Sequence, residues 1–225
     1  MPRTSRAARA DVCYHVLSRG NARQTVFHDD TDFNGFSVLL RRAQGERPMR
    51  LLAWCLMPNH FHLVVRPQCD GDLGKWMHWL LTTHVRHHQR RYATIGRIWQ
   101  GRFKAFPIQE DGHLLTVLRY VERNPVRASV VRRAVDWPWS SAAHRDAETG
   151  EPSSVPTLLT KSPVELPQPW IEWVDRPLAD NEVDALRLCA QRERPYGERA
   201  WVHGAADRFG LRSSLNPQGR PTTRV

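Results

Sequence analysis

Two spacings of apolar residues alternate along this chain. Tyr14 to Leu17 alternate with period two after a polar start and stop at Arg19-Gly20-Asn21, which predicts a first strand running into a turn or ligand loop. From His28 to Arg42 the period lengthens to that of a helix. Phe33, Phe36, Leu39, Leu40 and Ala43 share one side, and Asp29, Asp30 or Thr31 is the cap. Met49 to Leu56 and His60 to Val65 are compact apolar runs around Met57-Pro58-Asn59, the pattern of a hairpin or of adjacent strands. A long helix is predicted from Asp70 or Asp72, burying Leu73, Trp76, Met77, Leu80, Leu81, His84 and Val85. Arg102 to Ile108 reads as a further strand. A helix over Leu114 to Arg123 follows, capped by Asp111 and closed by Pro125.

Strand, helix, strand, strand, helix, strand, helix makes an α+β domain. The expected organisation is a basic extension over 1–11, the principal domain over 12–148, and a Pro/Ser/Thr/Glu-rich linker or wrapping segment over 149–170. A small helical appendage over 171–209 and a flexible basic tail over 210–225 complete it. The appendage carries helical patterns at Asp180 to Arg192 and Glu198 to Phe209, a pair also compatible with a helix-turn-helix.

Charge changes the picture. Among 225 residues, 33 Lys and Arg against 23 Asp and Glu leave a net +10, which favours a polyanion, most simply nucleic acid, over a neutral partner. The excess is concentrated. Between Gly71 and Lys104, Lys75, Arg86, Arg90, Arg91, Arg97, Arg102 and Lys104 face a single acid, Asp72. Arg19, Asn21 and most of that set (Arg86, Arg90, Arg91, Arg97, Arg102 and Lys104) are candidate phosphate contacts, with a solvated basic surface as the alternative. Tyr92 and Trp99 are candidates to stack on an unpaired base; for Trp99 the alternative is core packing. Cys13, Cys55, Cys69 and Cys189 have no disulfide or finger spacing and read as free thiols of a cytoplasmic protein. Neither a secretory leader nor a membrane span is expected.

The chemistry-bearing residues are few. A strand places His60 and His62 on one face, with Phe61 on the other. Adjacent imidazoles make a half-site for Mn²⁺, Zn²⁺, Co²⁺ or Ni²⁺, or for Mg²⁺ if oxygens complete the shell. The alternatives are one core and one exposed histidine, or a structural zinc site with Cys55 or Cys69. Tyr120 and Asn124 stand four apart on one helix face. A tyrosine hydroxyl is a weak nucleophile, and a cation polarising a scissile phosphate offsets that weakness, with the Asn124 amide oxygen as a possible third ligand. A helical tyrosine also serves ordinary packing. Glu122 points away from Tyr120, which predicts a solvent-facing residue.

Several segments resemble one known family. Met57-Pro58-Asn59-His60-Phe61-His62 and Arg119-Tyr120-Val121-Glu122-Arg123-Asn124-Pro125-Val126-Arg127-Ala128 are similar to motifs of the HUH single-tyrosine transposases. Tyr14-His15-Val16-Leu17-Ser18-Arg19-Gly20-Asn21, Trp99-Gln100-Gly101-Arg102-Phe103 and Trp137-Pro138-Trp139-Ser140-Ser141 resemble the branch associated with repetitive extragenic palindromes (REP). The resemblance spans about residues 12 to 146, with Arg194-Pro195-Tyr196-Gly197 beyond it. It implies a ferredoxin-like α+β sandwich with a central antiparallel sheet flanked by helices, plus the helical appendage. It also implies Tyr120 as the catalytic nucleophile leaving a 5′-phosphotyrosine and a free 3′-OH, and His60, His62 and Asn124 as ligands of Mg²⁺ or Mn²⁺. The implied partner is single-stranded DNA with a REP-like hairpin, bound by a monomer or homodimer associated with the nucleoid. An idle hairpin-binding protein and a water-using metal nuclease are the competing readings.

Overall fold

The computed structural model describes residues 8–145, 149 and 158–216. Most of the expected N-terminal extension, residues 146–148 at the end of the expected principal domain, 150–157 of the expected linker and the tail from 217 lie outside the described residues. Strands β1 (Cys13–Arg19), β2 (Met49–Met57), β3 (His60–Pro67) and β4 (Lys104–Ile108) form one sheet in the order β2-β3-β1-β4. All neighbours are antiparallel. Helix α1 (Asp30–Glu46) follows β1 and helix α2 (Asp72–Tyr92) follows β3, the ferredoxin-like arrangement. Beyond β4 come α3 (Gly112–Glu122), α4 (Asn124–Arg127), α5 (Trp170–Asp175), α6 (Asp180–Arg192) and α7 (Arg199–Arg208).

Both faces of the sheet are buried, so successive residues of β1 serve different cores. Tyr14 and Val16 belong to the core under α1 and α2, with Phe27, Phe33, Phe36, Phe61 and Trp76. Cys13 belongs to the core under α3 and α5, with Val64, Phe106, Leu118 and Trp170. His15 stands on that second face, against Phe106. Each large side chain moved fully from water contributes about 1.5–3 kcal/mol. The caps agree with the sequence. The Asp29 carboxylate accepts from Asp32 N at the start of α1, and Asp111 accepts from His113 N at the start of α3.

Segments that the sequence leaves as connections instead close the sheet edges, where unpaired backbone groups invite aggregation. Along the outer edge of β2, Leu56 N donates to Trp139 O, Trp54 N to Ser141 Oγ, and Thr160 N to Leu51 O. Outside β4, Tyr196 N donates to Pro107 O and Gln109 N to Tyr196 O. The described part of the 149–170 segment thus wraps the sheet, with Leu158 and Leu159 in one core and Leu166 in the other. Part of 210–216 is packed as well. Ser214 is buried and its carbonyl accepts from Arg192 Nε.

Candidate active site

The site begins where β1 ends and the β2–β3 turn reverses. A Cβ on Gly20 would sit 2.3 Å from Gln24 O, so only glycine lets this loop fold back on itself. Gly20 N then donates to Asn59 O, and Val26 N and Phe27 N both donate to Pro58 O. The Asn59 side chain is held from both ends. Its Nδ2 donates to Arg23 O, and its Oδ1 faces His60 Nδ1 at 2.6 Å. Because the amide oxygen accepts, His60 carries its proton on Nδ1 and leaves Nε2 as a lone pair.

His60 and His62 share a face of β3, with ring centroids 5.0 Å apart and the planes near perpendicular. Burial pushes the His60 imidazole down to about 4, helped by the cations Arg19 and Arg127. Burial likewise drives His62 well below its ordinary range, with His15 and His60 adding to the effect. Both are therefore neutral donors at physiological pH, the form a divalent cation requires. Two imidazole nitrogens are a half-site that suits Mn²⁺, and Mg²⁺ if amide or phosphate oxygens join. Among the described residues no three His, Cys, Asp or Glu side chains form a cation cluster, which leaves the structural zinc alternative without a ligand set.

Helix α3 packs over the same sheet face and sets the Tyr120 ring edge-on to His62 at 5.8 Å and to His15 at 6.1 Å. Asn124, one turn on, is buried. Its Nδ2 donates to Tyr120 O, and its Oδ1 accepts from Arg127 Nη2 at 2.7 Å, so the amide is tied to α3 and α4 and to neither imidazole. One lone pair of that oxygen remains. The Arg127 guanidinium lies 5.2 Å from the Tyr120 ring centre.

Two residues of this cluster escape sequence reasoning. His15 touches His62 from a strand far away in sequence, and only the β1–β3 pairing brings them together. Arg127 stands seven residues after Tyr120, a two-turn spacing that does hint at the shared face.

The acid stability of the protein follows from the same burial. His15 and His84 are each lowered to about 3, and His60 to about 4, from an ordinary 6.5. Between those values and 6.5 the unfolded chain binds more protons than the folded one, so stability present above pH 6.5 is lost as pH falls. The urea midpoint is expected to be lower at pH 5 than at pH 7.5, each group contributing up to about 1.4 kcal/mol per pH unit. A midpoint unchanged over that range would contradict neutral burial.

A profile of the IS200-like transposases matches residues 8–124, more than half of the chain. This chain belongs to that family. A candidate REP-associated tyrosine transposase of Haemophilus influenzae is 31% identical over 130 residues, spanning 52% of this chain and 73% of the relative. The REP-associated tyrosine transposase of Escherichia coli K12 is 27% identical over 111 residues, 48% of this chain and 63% of that one. A solved REP-associated tyrosine transposase bound to a REP hairpin superposes with a TM-score of 0.55 at 20% identity, covering 72% of this chain and 96% of that chain. At that identity it establishes the shared fold.

In this IS200-like transposase the ten candidate DNA contacts fall into distinct places. Arg19 is exposed beside His60, and Asn21 is exposed two residues on, with its backbone N–H donating to Ile98 O. Arg86, Arg97 and Arg102 line a groove of about 1170 Å³ whose floor includes Tyr14, Ala105 and Pro107, on the sheet face opposite the imidazoles. Arg90 is exposed on the last turn of α2. The other four are occupied. Arg91 pairs with Asp29 at 2.5 Å and Asp32 at 2.7 Å, and the Tyr92 hydroxyl donates to Asp32 at 2.6 Å. Lys104 donates to Gln191 O. Trp99 is buried among Phe27, Phe36, Phe61 and His84, which places it in the core and not on a base. Glu122 corrects the expectation of a solvent residue. It is fully buried and accepts from Ser141 Oγ at 2.5 Å, Arg145 Nε at 2.6 Å and Trp170 Nε1 at 2.8 Å. Among the described residues no helix is long and apolar enough to cross a membrane.

Proposed function

We propose that this protein cuts and rejoins single-stranded DNA beside a hairpin, with Tyr120 as the nucleophile and a divalent cation held by His60, His62 and Asn124. The observation that carries the reading is the His60–His62 pair of β3 with the Tyr120 ring of α3 set edge-on to His62 over the same sheet face. The hairpin in the solved relative and the names of the two curated ones support the choice of DNA. Arg19 and Arg127 are the proposed cations at the scissile phosphate, and Arg86, Arg90, Arg97 and Arg102 the proposed backbone contacts further along the strand.

A cation bound there would draw electron density from the phosphate and make phosphorus more electrophilic. The chain supplies the rest. The Tyr120 hydroxyl gives up its proton as its oxygen attacks phosphorus, the bond from phosphorus to O3′ breaks, and the departing oxygen takes up one proton as a free 3′-OH, so that protons balance. The 5′-phosphotyrosine conserves the phosphodiester energy, so attack by a 3′-OH reverses the step without ATP. Arg127, whose guanidinium lies 5.2 Å from the Tyr120 ring centre, is placed to meet negative charge that develops on the phosphate during attack.

Incubated with Mn²⁺ and a REP-like hairpin carrying single-stranded flanks, the wild-type protein is expected to form a denaturant-resistant protein–DNA adduct. Chelation, His60→Ala and His62→Ala are each expected to reduce it by about 100-fold or more. A folded, Mn²⁺-loaded wild type that forms no adduct on palindromes of its own genome would overturn the reading.

A further inference from the structure

We propose that His15 is a positioning residue for the cation site, accepting the Nδ1 proton of His62 and so presenting the Nε2 lone pair of His62 to the cation. The inference rests on the reading that His60 and His62 hold that cation. His15 Nε2 and His62 Nδ1 are 2.9 Å apart, and the ring planes are within 8° of parallel with centroids 5.0 Å apart. Parallel planes joined by a 2.9 Å contact cannot be further apart than that contact. This is closer than the roughly 3.5 Å at which ring faces touch, so the rings meet edge to edge through a hydrogen bond.

One proton sits in that bond, and two arrangements are available. If His62 donates, its Nε2 is a lone pair and can bind a cation. If His15 donates, His62 carries its proton on Nε2 and cannot. His60 has no such freedom, because an amide oxygen on its Nδ1 settles the tautomer. His62 faces an imidazole that accepts or donates equally well. The far nitrogen of His15, Nδ1, is buried without a partner among the described residues, and Phe106 lies edge-on to the ring. Among the described residues nothing behind His15 imposes a tautomer, so the choice is made at His62 Nε2. Binding a cation there selects the arrangement in which His62 donates, and His15 in turn holds the ring in the plane that turns Nε2 away from β1.

The test pairs metal titration with imidazole ¹⁵N spectra of the full chain. His15→Phe keeps a planar ring and removes the acceptor, and is expected to weaken Mn²⁺ binding 10- to 100-fold. His15→Gln restores a carbonyl acceptor and is expected to recover most of that loss. In wild type loaded with diamagnetic Zn²⁺, His62 Nδ1 should carry the proton and show a scalar coupling to His15 Nε2. The proposal is overturned if His15→Phe, still folded, binds Mn²⁺ within twofold of wild type, or if the Zn²⁺-loaded spectrum puts no proton on His62 Nδ1. If His15→Phe does not fold, the wild-type spectrum decides alone. The underlying reading fails separately, if His60→Ala or His62→Ala leaves Mn²⁺ affinity unchanged.

Discussion

Tyr120→Phe is expected to abolish the protein–DNA adduct and to lower cleavage of a hairpin substrate by roughly 10⁴-fold or more, while Mn²⁺ and DNA affinities stay within a few-fold. The substitution removes one oxygen. It keeps the ring that packs edge-on to His15 and His62 and under the Arg127 guanidinium, so the fold should lose no more than about 1 kcal/mol. That separation gives the experiment its force. If the imidazole pair activated water, cleavage would persist in Tyr120→Phe and no adduct would appear even in wild type. If the chain only bound hairpins, both proteins would bind alike and neither would cut. Denaturing gels of labelled oligonucleotide, with binding measured in parallel, separate the three outcomes.

Glu122→Ala or Arg145→Ala is expected to cost about 3–5 kcal/mol, which for a chain of this length lowers the melting temperature by roughly 10 °C. The two charges are essentially without solvent exposure and 2.6 Å apart. Removing either strands its partner. The carboxylate also satisfies Ser141 and the Trp170 indole, and the guanidinium donates to Leu52 O, so one deletion loosens contacts to β2, α5 and the segment after α4. Replacing both by Met should be milder than either single change, because no unpaired charge remains. Chemical denaturation of the two single variants and the double variant checks this, and single variants within 1 kcal/mol of wild type would refute it. Since α3 carries Glu122 on one side and Tyr120 on the other, the single variants should also lose cleavage while their DNA affinity falls less.

The contrast between these two residues shows how far local pattern reaches. Tyr120 and Asn124 are legible because a helix repeats every 3.6 residues, and His60 and His62 because a strand repeats every two. Glu122 is misread by the same logic, which assumes that a helix has one buried side. Helix α3 lies between the sheet and Trp170 of α5, so its second side is buried too, and a charge there survives only because Arg145 arrives from elsewhere in the chain. Arg91 and Tyr92 look like part of a phosphate-binding run when α2 is read alone. The N-terminal acids of α1 lie beside them only once the two helices pack. Trp99 likewise belongs to the core because Gly20 and Asn21 draw its segment onto the end of the sheet.

The amino-acid sequence by itself determined the order of strands and helices, the caps of α1 and α3, the shared face of His60 and His62 and the basic character of the chain. All of these follow from contacts within a few residues or from composition. Only the tertiary structure decided that His15 meets His62, that Arg127 and Asn124 are joined beside Tyr120, and which arginines stay open to a phosphate. It also turned the segment beyond α4 into the cover of both sheet edges. Those outcomes depend on antiparallel pairing and on two faces of one sheet being buried at once, and no local period encodes which distant side chain will meet a given polar group there.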